Sequence, residues 1–124
     1  MGCTKMIFAI DFDGCLCENR YPEIGRPNGY MIMYCNQLKK EGHELILWTC
    51  REGKELSEAV KWCSEHGLTF DAINDNLPRV IEEWGGLNPR KIFANAYYDD
   101  RSLKAKYCSD CDIPLIEYAY IPDK

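Results

Sequence analysis

Long apolar runs are missing from this chain of 124 residues. Nowhere do about 18 apolar residues follow one another, as a membrane-crossing helix requires. The N-terminus likewise lacks a basic segment followed by a long apolar stretch. Together these absences predict a soluble, cytoplasmic protein with no membrane partner. Positive charge is also short: 15 Lys and Arg against 20 Asp and Glu leave a formal net charge of -5, so the global field gives no help toward a nucleic-acid backbone. Only a local basic pocket could serve that purpose. Internal repeats, low-complexity tracts and linkers are absent, and the length suits one compact core, so residues 1–124 are expected to form a single domain. Histidine is scarce as well. His43 precedes an apolar run and His66 ends a helical one, where positive charge suits the helix dipole, and neither is assigned to chemistry.

Cysteine, by contrast, is plentiful at eight residues. A disulfide framework would need a secreted context that the sequence does not supply, so reduced thiols are expected. Cys108 and Cys111 form a lone CxxC. A zinc site would need two more ligands from Cys3, Cys15, Cys17, Cys35, Cys50, Cys63, His43 or His66, and the second CxxC pair that would supply them is missing.

The apolar segments that do occur are short and end in polar clusters. Lys5 to Phe12 reads as a strand buried on both faces. Asp13 to Pro27 is rich in Gly, Pro, Asn and charge and reads as a loop, with a small flap at about residues 14–27. Asn28 suits the cap of a helix running to Glu41, with Gly42 as its stop. Glu44 to Thr49 is a second buried strand, Glu52 to His66 a helix, and Leu68 to Ile73 a short third strand. Pro78 to Trp84 suits a brief helix opened by its proline and closed by Gly85-Gly86. Ile92 to Tyr98 is a fourth strand, and Leu115 to Tyr120 alternates weakly, as an edge strand does. Trp48, Trp62 and Trp84 fall inside periodic apolar segments and are read as core or rim packing. Strands alternating with helices predict right-handed crossovers and a mainly parallel sheet, hence a single Rossmann-like, three-layer α/β domain. In such sheets ligands sit beyond the carboxyl ends of the strands.

Three of those ends carry Asp11-Phe12-Asp13-Gly14, Thr49-Cys50-Arg51 and Asp99-Asp100. Clustered carboxylates raise one another's pKa unless a cation neutralises them. Mg2+ suits such a cluster, because it takes a few oxygen ligands and keeps places for water and substrate phosphate. A calcium-loop reading of the first motif fails, since Tyr21-Pro22 stand where the loop needs its closing glutamate.

With these motifs in this order, the chain resembles the haloacid-dehalogenase-like (HAD) hydrolases. In that family a strand ends in Asp-x-Asp-Gly-(Thr/Val), a second ends in Thr or Ser, a lysine follows, and a later strand ends in paired acids. Here Asp11-Phe12-Asp13-Gly14-Cys15, Thr49, Lys91 and Asp99-Asp100 hold those places, over residues from about 5 to 101. The resemblance implies a Mg2+-dependent phosphomonoesterase that forms an aspartyl-phosphate on Asp11. Asp11 would be nucleophile and metal ligand. Asp13 would act as general acid and then base, with its backbone carbonyl on the metal. Thr49 would hydrogen-bond the phosphate, and Asp99 and Asp100 would complete the metal site. Lys91, with Arg90 as its rival, would supply a fixed positive charge and is counted with Asp11, Asp13 and Thr49 as catalytic. Arg51 could add a bidentate phosphate contact. Gly14, Cys15 and Cys50 would line the phosphate, Cys15 through its backbone N–H in place of the usual Thr or Val.

About 35 residues lie between Asp13 and Thr49, and about 40 between Thr49 and Lys91, and the predicted elements already fill both stretches. No large cap fits. Family members without one tend to act on large substrates or borrow a lid from another subunit. The flap from Cys17 to Pro22 is the nearest substrate reader, with Arg20 and Tyr21 able to touch a phosphate or stack on a base, although a solvated loop is the plainer account. The expected partner is a small phosphorylated substrate or a nucleic-acid end. The alternatives are a catalytically weak HAD-like phosphate-binding, metal-binding or regulatory module, and a polynucleotide-end phosphatase, the latter resting on Asp99-Asp100-Arg101. Tyr118 and Tyr120 suit a homo-oligomer contact and an ordinary edge strand equally.

Overall fold

The first apolar segment is buried along its whole length because both of its faces are covered, as its unbroken run of Ile, Phe and Ala requires. The computed structural model describes residues 4–107 and 114–118. In chain order the elements are β1 (Ile7–Ile10), β2 (Cys17–Arg20), β3 (Glu23–Pro27), α1 (Gly29–Lys40), β4 (Glu44–Leu47), α2 (Gly53–Glu65), β5 (Ala72–Ile73), α3 (Pro78–Glu83), β6 (Ala96–Tyr98), β7 (Leu103–Tyr107) and β8 (Pro114–Tyr118). The central sheet is entirely parallel, in the order β5-β4-β1-β6, with Ile10 beside Leu47 on one side and Tyr98 on the other.

Alternation along the strands sorts the core into two. Phe8, Ile10, Leu45 and Leu47 pack with Cys35 and Leu38 of α1 and with Ala59 and Cys63 of α2. On the opposite face Ile7, Ala9 and Ile46 pack with Val80 of α3 and with Ile92 and Ala94. The result is a small three-layer α/β domain whose second outer layer is one short helix and an irregular segment. Two of the three described helices start where the sequence supplies a signal: the Asn28 side chain accepts from the Met31 N–H at α1, and Pro78 opens α3. Gly42, at φ +92, ends the turn after α1.

Four segments differ from expectation, the third strand among them, since it covers only Ala72–Ile73 of the expected Leu68 to Ile73. The flap is a β-hairpin, with β2 antiparallel to β3 and a cis Tyr21-Pro22 peptide at its turn. The fourth strand starts at Ala96 rather than Ile92. Asn95 precedes it with a side-chain oxygen that accepts from the Ile7 N–H at 2.7 Å, while Ile92 and Ala94 fill the second core ahead of the ladder. The expected edge strand pairs, as β8, with β7 in a separate antiparallel sheet and not with the central one. Leu103-Lys-Ala-Lys-Tyr107 alternates apolar with charged residues, the period-2 signal for the strand that the sequence reading passes over.

Among the described residues Cys15, Cys17, Cys35, Cys50 and Cys63 are free thiols. Cys3, the pair Cys108 and Cys111, and Tyr120 lie outside the described residues. No described helix is long and apolar enough to cross a membrane.

Candidate functional site

Parallel register brings three strand ends to one edge. β1 lies between β4 and β6, so the chain leaves it toward one neighbour and returns on its other side, the arrangement that opens a crevice at the carboxyl edge. The Asp11 N–H donates to the Tyr98 carbonyl at 2.9 Å, and the Trp48 N–H to the Ile10 carbonyl at 2.9 Å, so the three ends stand level. Asp11, Trp48-Thr49 and Asp99-Asp100 follow directly.

Asp11, Asp99 and Asp100 each offer a carboxylate oxygen, and these atoms all lie within 4.8 Å of one another. Gly14 makes this approach feasible. It sits at φ +83, and a Cβ there would stand 2.2 Å from Oδ2 of Asp100, so no other residue fits without moving that acid. Burial pushes the Asp11 carboxyl up from 3.8 to about 7, with added repulsion from Asp99, Asp100 and Asp13. A hydrogen bond from the Phe12 N–H, 2.8 Å to Oδ1, opposes the rise only in part. Asp100 is raised too, by burial and by the hydrogen bond and charge it shares with Asp99. Three hard oxygen donors crowded at this cost fit a divalent cation such as Mg2+, which would remove the repulsion.

Asp13 contributes no carboxylate oxygen to that group. Both of its oxygens accept from Arg51, Oδ2 from Nε and Oδ1 from Nη2, each at 2.8 Å. The remaining guanidinium donors reach the carbonyls of Pro22 at 3.2 Å, Glu55 at 3.4 Å and Glu23 at 3.0 Å. The group is 1% exposed and lies between two rings, 5.0 Å from the centroid of Phe12 and 5.1 Å from that of Tyr21. All five N–H donors of an arginine are thereby committed. This corrects the expectation that Arg51 grips phosphate: its fork holds protein oxygens.

A cavity of about 600 Å³ opens onto these groups, walled by Asp11, Asp13, Thr49, Cys50, Arg51, Asp99 and Asp100 together with Asn19, Tyr21, Trp48 and Arg101. The first seven were legible as candidates. Four other candidates, and the rival of one of them, are placed elsewhere. Arg20 lines a separate shallow hollow with Glu18 and Arg26, because strand alternation sends Asn19 and Tyr21 to the cavity side and Glu18 and Arg20 away from it. The Gly14 and Cys15 N–H groups donate to the carbonyls of Cys17 and Phe12 inside their own turn, at 2.9 and 3.2 Å, so neither lines the cavity as a phosphate donor. Lys91 and its rival Arg90 are exposed on the segment leading to β6, and neither lines the cavity. Besides the committed Arg51, Arg101 is the cation that lines it among the described residues.

Besides Asn19 and Arg101, two contributors were missed. Trp48 packs against Tyr97 as a rim residue would, with ring centroids 5.2 Å apart, and also walls the cavity. Asn74, at φ 51, accepts from the Thr49 N–H at 2.8 Å and donates to the Arg51 carbonyl at 3.3 Å, bracing the loop after β4 from outside. The Asn-Asp-Asn run after Ile73 was its signal, since asparagine tolerates the left-handed region better than other non-glycine residues.

No family model and no curated protein matches the chain. A solved structure does: that of a conserved protein from Bacteroides thetaiotaomicron, 42% identical, with 80% of this chain and 78% of that one covered and a TM-score of 0.71. At that identity and coverage, the chain belongs to the same family as this conserved Bacteroides protein.

Proposed function

We propose that the protein is a Mg2+-dependent phosphomonoesterase of the HAD type, with Asp11 as its nucleophile. The observation that carries this reading is the meeting of three carboxylate oxygens, from the ends of β1 and β6, within 4.8 Å in a cavity that the end of β4 also walls. Asp11, Asp99 and Asp100 would hold the cation, with the backbone carbonyl of Asp13 as the further ligand that the family resemblance suggests. When bound, Mg2+ neutralises the carboxylates and the phosphate and lowers the repulsion between an anionic nucleophile and an anionic ester.

A carboxylate oxygen of Asp11 attacks phosphorus, the bond to the leaving oxygen breaks, and Asp13 gives that oxygen its proton. Water then attacks the aspartyl-phosphate and returns a proton to Asp13, releasing inorganic phosphate and free Asp11. Thr49 Oγ1 accepts from the Arg51 N–H at 3.1 Å, which leaves its hydroxyl proton for a phosphate oxygen. The cation sought in Lys91 would instead be Arg101, whose exposed side chain lines the cavity.

One observation favours a second reading, a metal- and phosphate-binding module without turnover: Arg51 occupies both oxygens of the proposed acid. One experiment separates the two. Phosphate release is followed from aryl phosphates, phosphorylated metabolites and nucleic-acid ends, with Mg2+ and then with EDTA, for the wild type and Asp11→Asn. We expect turnover that EDTA abolishes and that Asp11→Asn lowers by at least about a thousandfold, the scale of a lost covalent route. Binding of phosphate without release would favour the module. Turnover unchanged in Asp11→Asn would sink the nucleophile assignment.

A further inference from the structure

Among the described residues that wall the cavity, Asn19 and Tyr21 belong to the hairpin of β2 and β3 rather than to the central sheet; Cys17 and Ile24 seat the base of the hairpin in the first core, and Arg51 ties down its turn. Its guanidinium reaches two successive carbonyls of the hairpin turn, Pro22 and Glu23, and the first turn of α2 at the Glu55 carbonyl. The same group grips both oxygens of Asp13 and stacks between Phe12, from the loop after β1, and Tyr21, from the hairpin. Asn19 and Tyr21, flanking that turn, are the hairpin's contribution to the cavity wall. A single side chain, itself 1% exposed, therefore ties together three separate parts of the molecule: the Asp13 carboxylate, the substrate-facing wall of the hairpin and the start of α2.

We infer that Arg51 is a positioning residue that fixes Asp13 and the hairpin as one rigid unit, so that the hairpin serves as a standing wall of the substrate site rather than a lid. The part of this that concerns catalysis rests on Asp13 being the acid for the leaving group. Charge-assisted, bidentate contacts have the directionality to fix a carboxylate. Each carboxylate oxygen has two acceptor sites, so an Asp13 held in this way keeps a lone pair on each oxygen for a proton in transit. Lysine cannot replace the fork, because one ammonium cannot span two carboxylate oxygens and three carbonyls in different directions.

The test compares the wild type with Arg51→Ala and Arg51→Lys by two readouts. Amide hydrogen exchange needs no activity. In both variants the amides of residues 17–27 are expected to exchange at least about tenfold faster, while those of β1 and β4 hold their protection. The second readout is kcat for Mg2+-dependent hydrolysis across aryl phosphates of graded leaving-group basicity. The loss is expected to reach about 100-fold for a phenolate, which needs the acid, and to stay within about threefold for a dinitrophenolate, which does not. A residue that merely stabilised the fold would lower all members of the series alike. Arg51→Lys retains the buried charge and carries both readouts if Arg51→Ala does not fold. Unchanged exchange in the hairpin, or losses independent of the leaving group, would overturn the inference. A wild type that releases phosphate from no ester overturns the hydrolase reading and Asp13's part in it, while hairpin exchange still decides the clamp.

Discussion

Asp11 and Asp13 stand two residues apart and line the same cavity, yet their surroundings are opposite. Asp11 meets two further carboxylates and partial burial, and its carboxyl is driven up to about 7. Asp13 meets a buried guanidinium that occupies both of its oxygens. The protein has thus compensated one acid from within and left the other crowded by like charge. A site that brings its own counter-charge to one carboxylate and withholds it from the neighbour would suit a cation at the second, as proposed above, and that contrast can be tested from both sides.

The largest expected effect is on the Asp11 side. Its pKa is raised on folding, so between about 4 and 7 the native state holds a proton that the unfolded chain has released. The native state then binds more protons, and stability falls as pH rises through that window. Below it the effect is absent, and above about 7 it is complete. In EDTA, the gap in urea midpoint between Asp11→Asn and wild type is therefore expected to widen from pH 4 to pH 7 in favour of the variant. Mg2+ added at pH 8 should close the gap by stabilising the wild type. A gap independent of pH would mean that burial and like charge do not act on Asp11 as described.

A second substitution breaks the cluster without touching an acid. In Gly14→Ala the new methyl meets Oδ2 of Asp100 at 2.2 Å on a backbone at φ +83. The left-handed backbone alone costs about 1–2 kcal/mol, and Asp100 has to move. Affinity for Mn2+, read by titration calorimetry, is expected to fall at least about tenfold, the scale seen when groups that orient metal ligands are lost. No contact of the Arg51 guanidinium is removed, so exchange at the hairpin turn is expected to rise less than in Arg51→Lys, even though Gly14 N–H bonds the hairpin base at the Cys17 carbonyl. Undiminished Mn2+ affinity would remove Asp100 from the metal site.

The two sides were not equally legible in sequence. Parallel strands ending in acids and threonine announce a carboxyl-edge site, because burial on both faces leaves a signature of unbroken apolar residues followed by polar ones. Asp11, Thr49, Asp99 and Asp100 followed from that signature alone. The Arg51 side did not. Its partners are mainly backbone carbonyls, which no residue type announces, and it depends on a hairpin whose strands, Cys-Glu-Asn-Arg and Glu-Ile-Gly-Arg-Pro, are too polar and exposed to show a buried period. Arg51 and Arg20 looked like free cations for the same reason: sequence shows charge but not what has already claimed it. Lys91 was placed by family spacing, and spacing does not say whether a side chain on the approach to a short strand reaches the cavity.

The smallest effect belongs to the brace behind Arg51. Asn74 fixes the loop after β4 through two side-chain hydrogen bonds, to the Thr49 N–H and the Arg51 carbonyl, while holding φ at 51. Alanine loses both bonds and adds backbone strain. Glycine loses both bonds and relieves the strain, although it loosens the unfolded chain. Asn74→Ala is expected to lower stability by roughly 1–2 kcal/mol in urea unfolding. If the bonds position the loop, both substitutions should also speed hairpin exchange modestly, by less than Arg51→Lys does, because they loosen the base of the clamp and leave its fork intact. If glycine restores wild-type stability and exchange, the left-handed backbone is the constraint and the two bonds are incidental. Equal losses in both variants would instead extend the Arg51 unit outward to β5, making the compensated side of the cavity one connected network, set against the Asp11 side proposed for the cation.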